Sequence, residues 1–192
     1  MPQVKIANMK IEAILFDLGK VIIDFQMDAM FQEMCALCSK PAHEFEMVFR
    51  HTDLARRYET GLITTREFYE ELCEGGGLQM KFDHFCRAWC SIFLKELLIS
   101  EDLLRELRRR YRLILISNTN EDHARYVVQN YPVLRYFDAK IFSFEVGAMK
   151  PDRRIYERAI AVSGSRPETL FFTDNREENV IDAREQIGRA HV

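Results

Sequence analysis

The 192-residue chain reads as an α/β protein: a Rossmann-like, doubly wound parallel sheet interrupted by one all-helical insertion. Three observations predict this. Four short apolar runs each end at or beside a polar residue, and continuous runs of that length fit strands buried on both faces. The later runs are each followed by a segment of helical period, the alternation of a wound sheet. The stretch 26–111 breaks that alternation and carries helical spacing throughout.

Taken in order, Ile11-Glu12-Ala13-Ile14-Leu15-Phe16 is the first strand, ending at Asp17. The insertion opens with Met27, Met30, Phe31, Met34 and Cys38 at helix spacing, and a second helix is expected within 41–57. Gly61 marks a turn, 64–74 a helix and Gly75-Gly76-Gly77 a loop. Phe82, Phe85, Trp89, Ile92 and Phe93 form another helical stripe, and 100–111 closes the insertion as a helix. These methionine and aromatic stripes predict packing rather than a cofactor box. Residues 112–116 are the second strand, ending at Ser117, and 120–130 the helix after it. Residues 140–144 form the third strand. The helix 151–163 is opened by Pro151, a residue suited to the first turn, with Ile155, Ala159 and Val162 on one face. Residues 169–173 are the fourth strand, ending at Asp174, and 176–187 a helix with Val180, Ala183 and Ile187 inward. The expected division is therefore a core of residues 1–25 and 112–192 with an insertion at 26–111.

Charge and composition narrow the function. The 27 Lys and Arg stand against 30 Asp and Glu, a net charge of −3, which argues against a nucleic-acid partner. No apolar run approaches the ~20 residues of a membrane span, so no membrane partner is expected. The first residues lack the pattern of a signal peptide, and the expected compartment is cytoplasmic. The five cysteines are odd in number. Cys35 and Cys38 form a CxxC pair, but it lies on a helical pattern without a second pair, which predicts small buried hydrophobes. Arg108-Arg109-Arg110, at a helix end, reads as a solvated face complementing the helix dipole.

The chemistry is expected at the strand ends, because ligands of open α/β sheets bind outside the carboxyl ends of the strands. Asp17, Ser117 and Asp174 should therefore converge, with Lys150, just before a helix, able to join them. Two close carboxylates repel unless a cation lies between them, and hard oxygen donors at an open site suit Mg²⁺ beside a substrate phosphate. A serine hydroxyl and backbone N–H groups at a helix mouth hold phosphate oxygens. A lysine adds a point charge. An aspartate aimed at that anion can act as a nucleophile and become an aspartyl-phosphate.

The stretches that carry these residues are Ile14-Leu15-Phe16-Asp17-Leu18-Gly19-Lys20-Val21-Ile22, Ile114-Leu115-Ile116-Ser117-Asn118-Thr119-Asn120, Gly147-Ala148-Met149-Lys150-Pro151-Asp152 and Leu170-Phe171-Phe172-Thr173-Asp174-Asn175-Arg176, the last continuing to Asn179, Ala183 and Gly188. In this order they resemble the four motifs of the haloacid dehalogenase-like (HAD) superfamily. The insertion resembles the small helical cap that one HAD subfamily carries between its first two motifs, with Tyr58-Glu59-Thr60-Gly61-Leu62-Ile63-Thr64 and Trp89 typical of it. Stretches 16–25 and 114–123 resemble those of bacterial sugar-1-phosphate phosphatases.

The resemblance implies a hydrolase in which Asp17 is the nucleophile. Mg²⁺ would be held by the Asp17 and Asp174 carboxylates and the Gly19 carbonyl. Ser117 and Asn118 would bind the transferring phosphoryl group, and Lys150 would neutralise charge on Asp17 and the phosphate. The implied activity is a Mg²⁺-dependent phosphatase of a small phosphorylated metabolite, a sugar phosphate among the candidates. Two alternatives stand beside it: a 2-haloacid dehalogenase-like hydrolase, in which Asp17 attacks carbon without a metal, and a non-catalytic binding protein on a degenerate scaffold. The sequence names neither the substrate nor the oligomeric state.

Two positions depart from the pattern. Gly19 stands where most HAD phosphatases have a proton-handling aspartate, and Asn175 where many have a second acid near the metal. Without an acid at 19, good leaving groups such as aryl phosphates and sugar 1-phosphates should be preferred over sugar 6-phosphates, unless Asp24 or Glu59 supplies the proton. The chain ends four residues after Gly188, so the last core strand is expected to be short or missing. Tyr58, Glu59 and Trp89 are candidates for the cap face over the substrate, with packing inside the insertion as the other reading.

Overall fold

The computed structural model describes residues 10–187 and 190–191; Gly188 lies outside them. In chain order, β1 (Ala13–Phe16) and β2 (Ile23–Phe25) precede helices α1 (Asp28–Ala36), α2 (Ala42–His51), α3 (Leu54–Glu59), α4 (Thr65–Gly76) and α5 (Phe82–Cys90). Then come β3 (Phe93–Leu97), α6 (Glu101–Arg108), β4 (Arg112–Ser117), α7 (Glu121–Asn130), β5 (Ala139–Phe142) and α8 (Ser143–Val146). The chain continues through α9 (Arg153–Ser163), β6 (Leu170–Thr173), α10 (Glu177–Ile187) and β7 (Ala190–His191).

Five strands form one parallel sheet in the order β5-β4-β1-β6-β7. The central strand β1 pairs Phe16 with Leu115 of β4 and with Thr173 of β6. Strand side chains alternate between faces. Ile14, Phe16, Leu113 and Leu115 pack with Leu104, Ala124 and Val127 on one face. Ala13, Leu15, Ile114 and Ile116 pack with Ile155, Ala159, Val180 and Ala183 on the other. Helices thus cover both faces, as expected of a doubly wound sheet. Among the described residues β7 spans Ala190–His191.

The insertion has its own core of Met30, Met34, Phe45, Phe49, Leu54, Tyr58, Phe68, Leu72, Phe85 and Trp89. Its aromatic rings stack and meet edge to face, with Tyr58 on Phe68 at 4.4 Å and Phe85 on Trp89 at 5.9 Å. The α4 helix is fixed by a reciprocal capping box between Thr64 and Glu67 and stopped by left-handed Gly77.

Three local expectations are corrected. The helix drawn within 41–57 is two helices, α2 and α3, parted at Thr52 and Asp53. The insertion is not helical throughout, because β2 and β3 pair as an antiparallel ribbon at its base. Leu97, Leu104, Leu107 and Tyr111 lie against the sheet's first face, joined also by Leu18, Ile22 and Ile23, while Phe93 packs against both this face and the insertion's core. Pro151 does not open a helix; α9 starts at Arg153, capped by the Asp152 side chain accepting from Arg154 N–H.

The cysteines pack around the insertion's core, with the Cys38 thiol donating to the Met34 carbonyl at 3.2 Å. Burial pushes that thiol up to about 11 and the Cys90 thiol up to about 12. Arg108 pairs with Asp138, and Arg109 and Arg110 share Glu106. Among the described residues no helix is long and apolar enough to cross a membrane.

Candidate active site

The polar cluster forms where adjacent parallel strands run out. Asp17 follows β1, Ser117 ends β4 and Asp174 follows β6, so three neighbouring strands deliver three side chains to one edge. Lys150 arrives from the loop before α9. Its ammonium lies 2.5 Å from Asp17 Oδ1, 2.6 Å from Asp174 Oδ2 and 3.0 Å from the Ile116 carbonyl. The lysine side chain is 1% exposed, so this is a buried charge held by two carboxylates.

Each member is set by a neighbour. The Asn118 side chain donates to the Lys150 carbonyl at 2.9 Å and accepts from its N–H at 2.7 Å, clamping the lysine backbone. Asp174 Oδ1 accepts from Arg176 N–H at 2.9 Å, and the Asn179 amide donates to both Asp174 oxygens at 3.1 and 3.0 Å. The Ser117 hydroxyl has only a marginal contact with the Asn118 carbonyl at 3.5 Å, leaving it available to a ligand. Burial pushes the Asp17 carboxyl above the usual carboxylate range, and repulsion from Asp174 adds to that while Lys150 opposes it.

Above the cluster lies a cavity of about 350 Å³ between core and insertion. Its floor is Asp17, Ser117, Asn118 and Lys150, and Phe25, Met27, Phe49, Trp89 and Phe93 help form the walls. Arg50, Glu59, Asn175 and Arg176 supply further polar groups. Arg50 and Arg176 carry no role in the sequence reading; isolated surface arginines give no signal until the fold brings them to one cavity. Asn179 is present in the fourth motif stretch without an assigned role, and the structure gives it one as partner of Asp174. Asp24 is placed elsewhere: it pairs with Lys20, which holds its carboxyl below the usual range, and it does not line the cavity. Over Gly19 stands the Phe25 ring, close enough that a Cβ there would come within 2.8 Å of it.

The insertion is tied down at two seams. Trp89 stacks on His123 at 4.7 Å and donates from its indole to Asn120 Oδ1 at 3.3 Å. His123 Nε2 lies 2.9 Å from the Trp89 carbonyl and Nδ1 lies 3.1 Å from the Asn120 amide nitrogen, a pattern that assigns a neutral ring protonated at Nε2. At the other seam the Ser143 hydroxyl donates to the Glu59 carbonyl at 2.6 Å and accepts from Thr119 N–H at 2.8 Å. Gly61 closes this seam at φ +69°, where a Cβ would meet the Phe144 carbonyl at 2.3 Å. Glycine is required there on both counts.

Burial lowers the His123 imidazole from 6.5 to about 4. Between those values the unfolded chain binds a proton that the folded one does not, so stability falls as pH drops through that window. Glu59 titrates over an overlapping range with the opposite sign, its carboxyl raised by burial to about 7. The difference between wild type and His123→Gln in urea denaturation therefore isolates the histidine. Wild type should lose its advantage from about pH 6.5 down to about pH 4; parallel curves would mean His123 is not buried neutral.

A Rossmann-like sheet that gathers two aspartates around a buried lysine at its strand ends, under an inserted helical cap, defines a class of α/β hydrolases. The family model for haloacid dehalogenase-like hydrolases matches residues 11–183, and the chain belongs to that family. It is similar to the D-ribitol-5-phosphate phosphatase of Bacteroides thetaiotaomicron, 26% identical over 181 residues that span 91% of this chain and 88% of that protein. A wild-type HAD family enzyme of the same organism, solved with magnesium and inorganic phosphate, superposes with a TM-score of 0.85 at 28% identity, covering 95% of this chain and 93% of that one. A HAD-like hydrolase of Porphyromonas gingivalis superposes at 0.79 with 27% identity, over 95% and 91%.

Proposed function

We propose that this protein is a Mg²⁺-dependent phosphatase of a small phosphorylated metabolite, of the sugar-phosphate class, acting through an aspartyl-phosphate on Asp17. The observation that carries the reading is the single Lys150 ammonium shared by Asp17 and Asp174, with Asp17 and Lys150 on the floor of the cavity between core and insertion. Three cations line the cavity, Lys150 with the two aspartates and Arg50 and Arg176 paired with Glu46 and Glu178, beside the carboxylates Asp17 and Glu59. Phosphoryl transfer needs mainly positioning and charge neutralisation, and this cluster supplies both. The relatives' names, a ribitol-phosphate phosphatase and a magnesium- and phosphate-bound enzyme, support the same chemistry.

In this reading the Asp17 carboxylate attacks phosphorus and the bond to the substrate oxygen breaks. Water then cleaves the aspartyl-phosphate and restores Asp17. The Ser117 hydroxyl holds a phosphoryl oxygen. Asn118, whose amide is occupied by Lys150, would contribute its backbone N–H and the placement of the lysine. Lys150 offsets negative charge on Asp17 and the phosphoryl group. The donor set fits Mg²⁺: two carboxylates share one ammonium and leave a net negative charge, all candidate ligands are hard oxygens, and among the described residues no side chain donates to Asp17 Oδ2. The loop's backbone bonds, Lys20 N–H to the Ile23 carbonyl and Ile23 N–H to the Leu18 carbonyl, do not use the Gly19 carbonyl. Asp17, Gly19 and Asp174 would hold the ion, which would supply positive charge to orient and neutralise the phosphate.

The test is phosphate release from a panel of phosphomonoesters with Mg²⁺ or with EDTA; activity should require the metal. Mg²⁺ should also raise Tm by mass action, by about 2.7 kcal/mol of stability at a hundredfold excess over Kd. Asp174→Ala should remove that shift. Turnover that survives EDTA, or a shift that survives in Asp174→Ala, would overturn the metal site. Chloride release from a 2-chloroacid would instead support the dehalogenase alternative.

A further inference from the structure

We propose that Glu59 is the proton donor to the leaving group and the base for the hydrolytic water, taking the part that Gly19 cannot. This rests on the phosphatase reading and deepens it. Cleaving an alkyl phosphate needs a proton for the departing oxygen, and hydrolysing an acyl phosphate needs a base for water. The titratable groups lining the cavity are few. Asp17 is hydrogen-bonded to Lys150 and is the nucleophile. Lys150 is committed to Asp17, Asp174 and the Ile116 carbonyl, and the guanidinium groups of Arg50 and Arg176 offer donors only. His123 has both ring nitrogens engaged, with Trp89 and Asn120. The Tyr58 hydroxyl is engaged with Thr65 at 2.9 Å. Glu59 remains, the one cavity-lining carboxyl besides Asp17.

Its placement is fixed on both sides. Tyr58 is 1% and Thr60 7% exposed, and the Thr60 hydroxyl donates to the Arg56 carbonyl at 2.7 Å. The Glu59 backbone is pinned to the core by Ser143, and Gly61 seats the following turn against Phe144. Glu59 lines the cavity without being fully enclosed, and among the described residues no side chain bonds to it. It is held where it meets the cavity rather than the cap's interior.

Packing does not explain a carboxylate here. Glu59 is the last residue of α3, and helix C-termini favour cations over anions. The surrounding protein raises its carboxyl to about 7, with Arg176 acting against that rise, so both protonation states are accessible near neutral pH. In the first step the Glu59 proton passes to the substrate oxygen as its bond to phosphorus breaks and Asp17 takes the phosphoryl group. In the second step the Glu59 carboxylate takes a proton from water as that oxygen attacks phosphorus. Asp17 leaves as carboxylate, phosphate departs, and Glu59 is protonated again. The sum is ester plus water giving alcohol plus phosphate.

The experiment compares wild type with Glu59→Gln on glucose 6-phosphate and p-nitrophenyl phosphate, with Tm measured on both proteins. A general acid is worth ~10²–10⁴-fold, so kcat/KM on glucose 6-phosphate should fall by that much. On p-nitrophenyl phosphate, whose leaving group needs little protonation, kcat/KM should change far less. Its kcat should nevertheless fall, with a burst of nitrophenolate and a phosphoenzyme trapped by acid quench. Equal losses on both substrates without a burst, or no loss, in a variant of unchanged Tm would overturn the role. Phosphate release by wild type from neither compound would strike the phosphatase reading itself, and the inference with it.

Discussion

Asp17→Asn should lose turnover by on the order of 10⁴-fold or more while losing no thermal stability. The amide keeps the shape of the carboxylate, and its oxygen still accepts from Lys150, but it is a poor nucleophile for phosphorus. The stability expectation follows from the charges. Asp17 is buried, and both burial and the neighbouring Asp174 disfavour its ionised form. Removing that charge removes both costs, while Lys150 keeps its bond to Asp174. Tm should therefore hold or rise, and the Mg²⁺-dependent part of Tm should shrink because one anionic ligand is gone. The measurements are steady-state phosphate release and thermal unfolding with and without Mg²⁺, with mass spectrometry to exclude reversion by deamidation. A folded variant that keeps turnover within about tenfold of wild type would rule out covalent chemistry at Asp17.

Most of the sheet is legible because its strands are buried on both faces. Ala13–Phe16 and Leu113–Ile116 are continuous apolar runs that compete with no helical pattern. The β2–β3 ribbon is not legible for the opposite reason. Lys95 and Glu96 are exposed, and Phe93 falls on the helical stripe of Phe82, Phe85 and Trp89, although it pairs with the distant Phe25. The gathering of Asp17, Ser117 and Asp174 follows from the rule that parallel strand ends converge, so residue type and position at a strand end suffice, whereas Lys150 joins them from the loop before α9. The second layer does not follow. Asn120, His123 and Trp89 meet only because the insertion folds back on α7, and no local spacing signals a contact between Trp89 and residues 120–123. The two readings of Glu59, cap face or packing, are separable only once Ser143 and Gly61 show how its turn is seated.

Lys150→Met should be the most destabilising single change in the site, by about 3–5 kcal/mol in metal-free buffer, because it breaks a buried ion pair and leaves its partners uncompensated. Methionine is an unbranched chain close to lysine in length, and the lysine ammonium lies 5.5 Å from the Phe172 ring, an apolar neighbour for the replacement. What is lost is charge and three bonds: to Asp17, to Asp174 and to the Ile116 carbonyl. The two carboxylates then face each other in a buried site with Asn179 and Arg176 N–H as the remaining donors to Asp174. Two dependences should accompany the loss. Added Mg²⁺ should recover more stability in Lys150→Met than in wild type, since the ion would replace the missing positive charge. Adding Asp174→Asn to Lys150→Met should also recover stability, because one uncompensated charge disappears. Urea denaturation of wild type, the single variants and the double variant, each with EDTA and with Mg²⁺, measures all of these. A Lys150→Met variant within about 1 kcal/mol of wild type in EDTA would mean that the lysine does not hold the carboxylates together, and the site's charge balance would have to come from elsewhere.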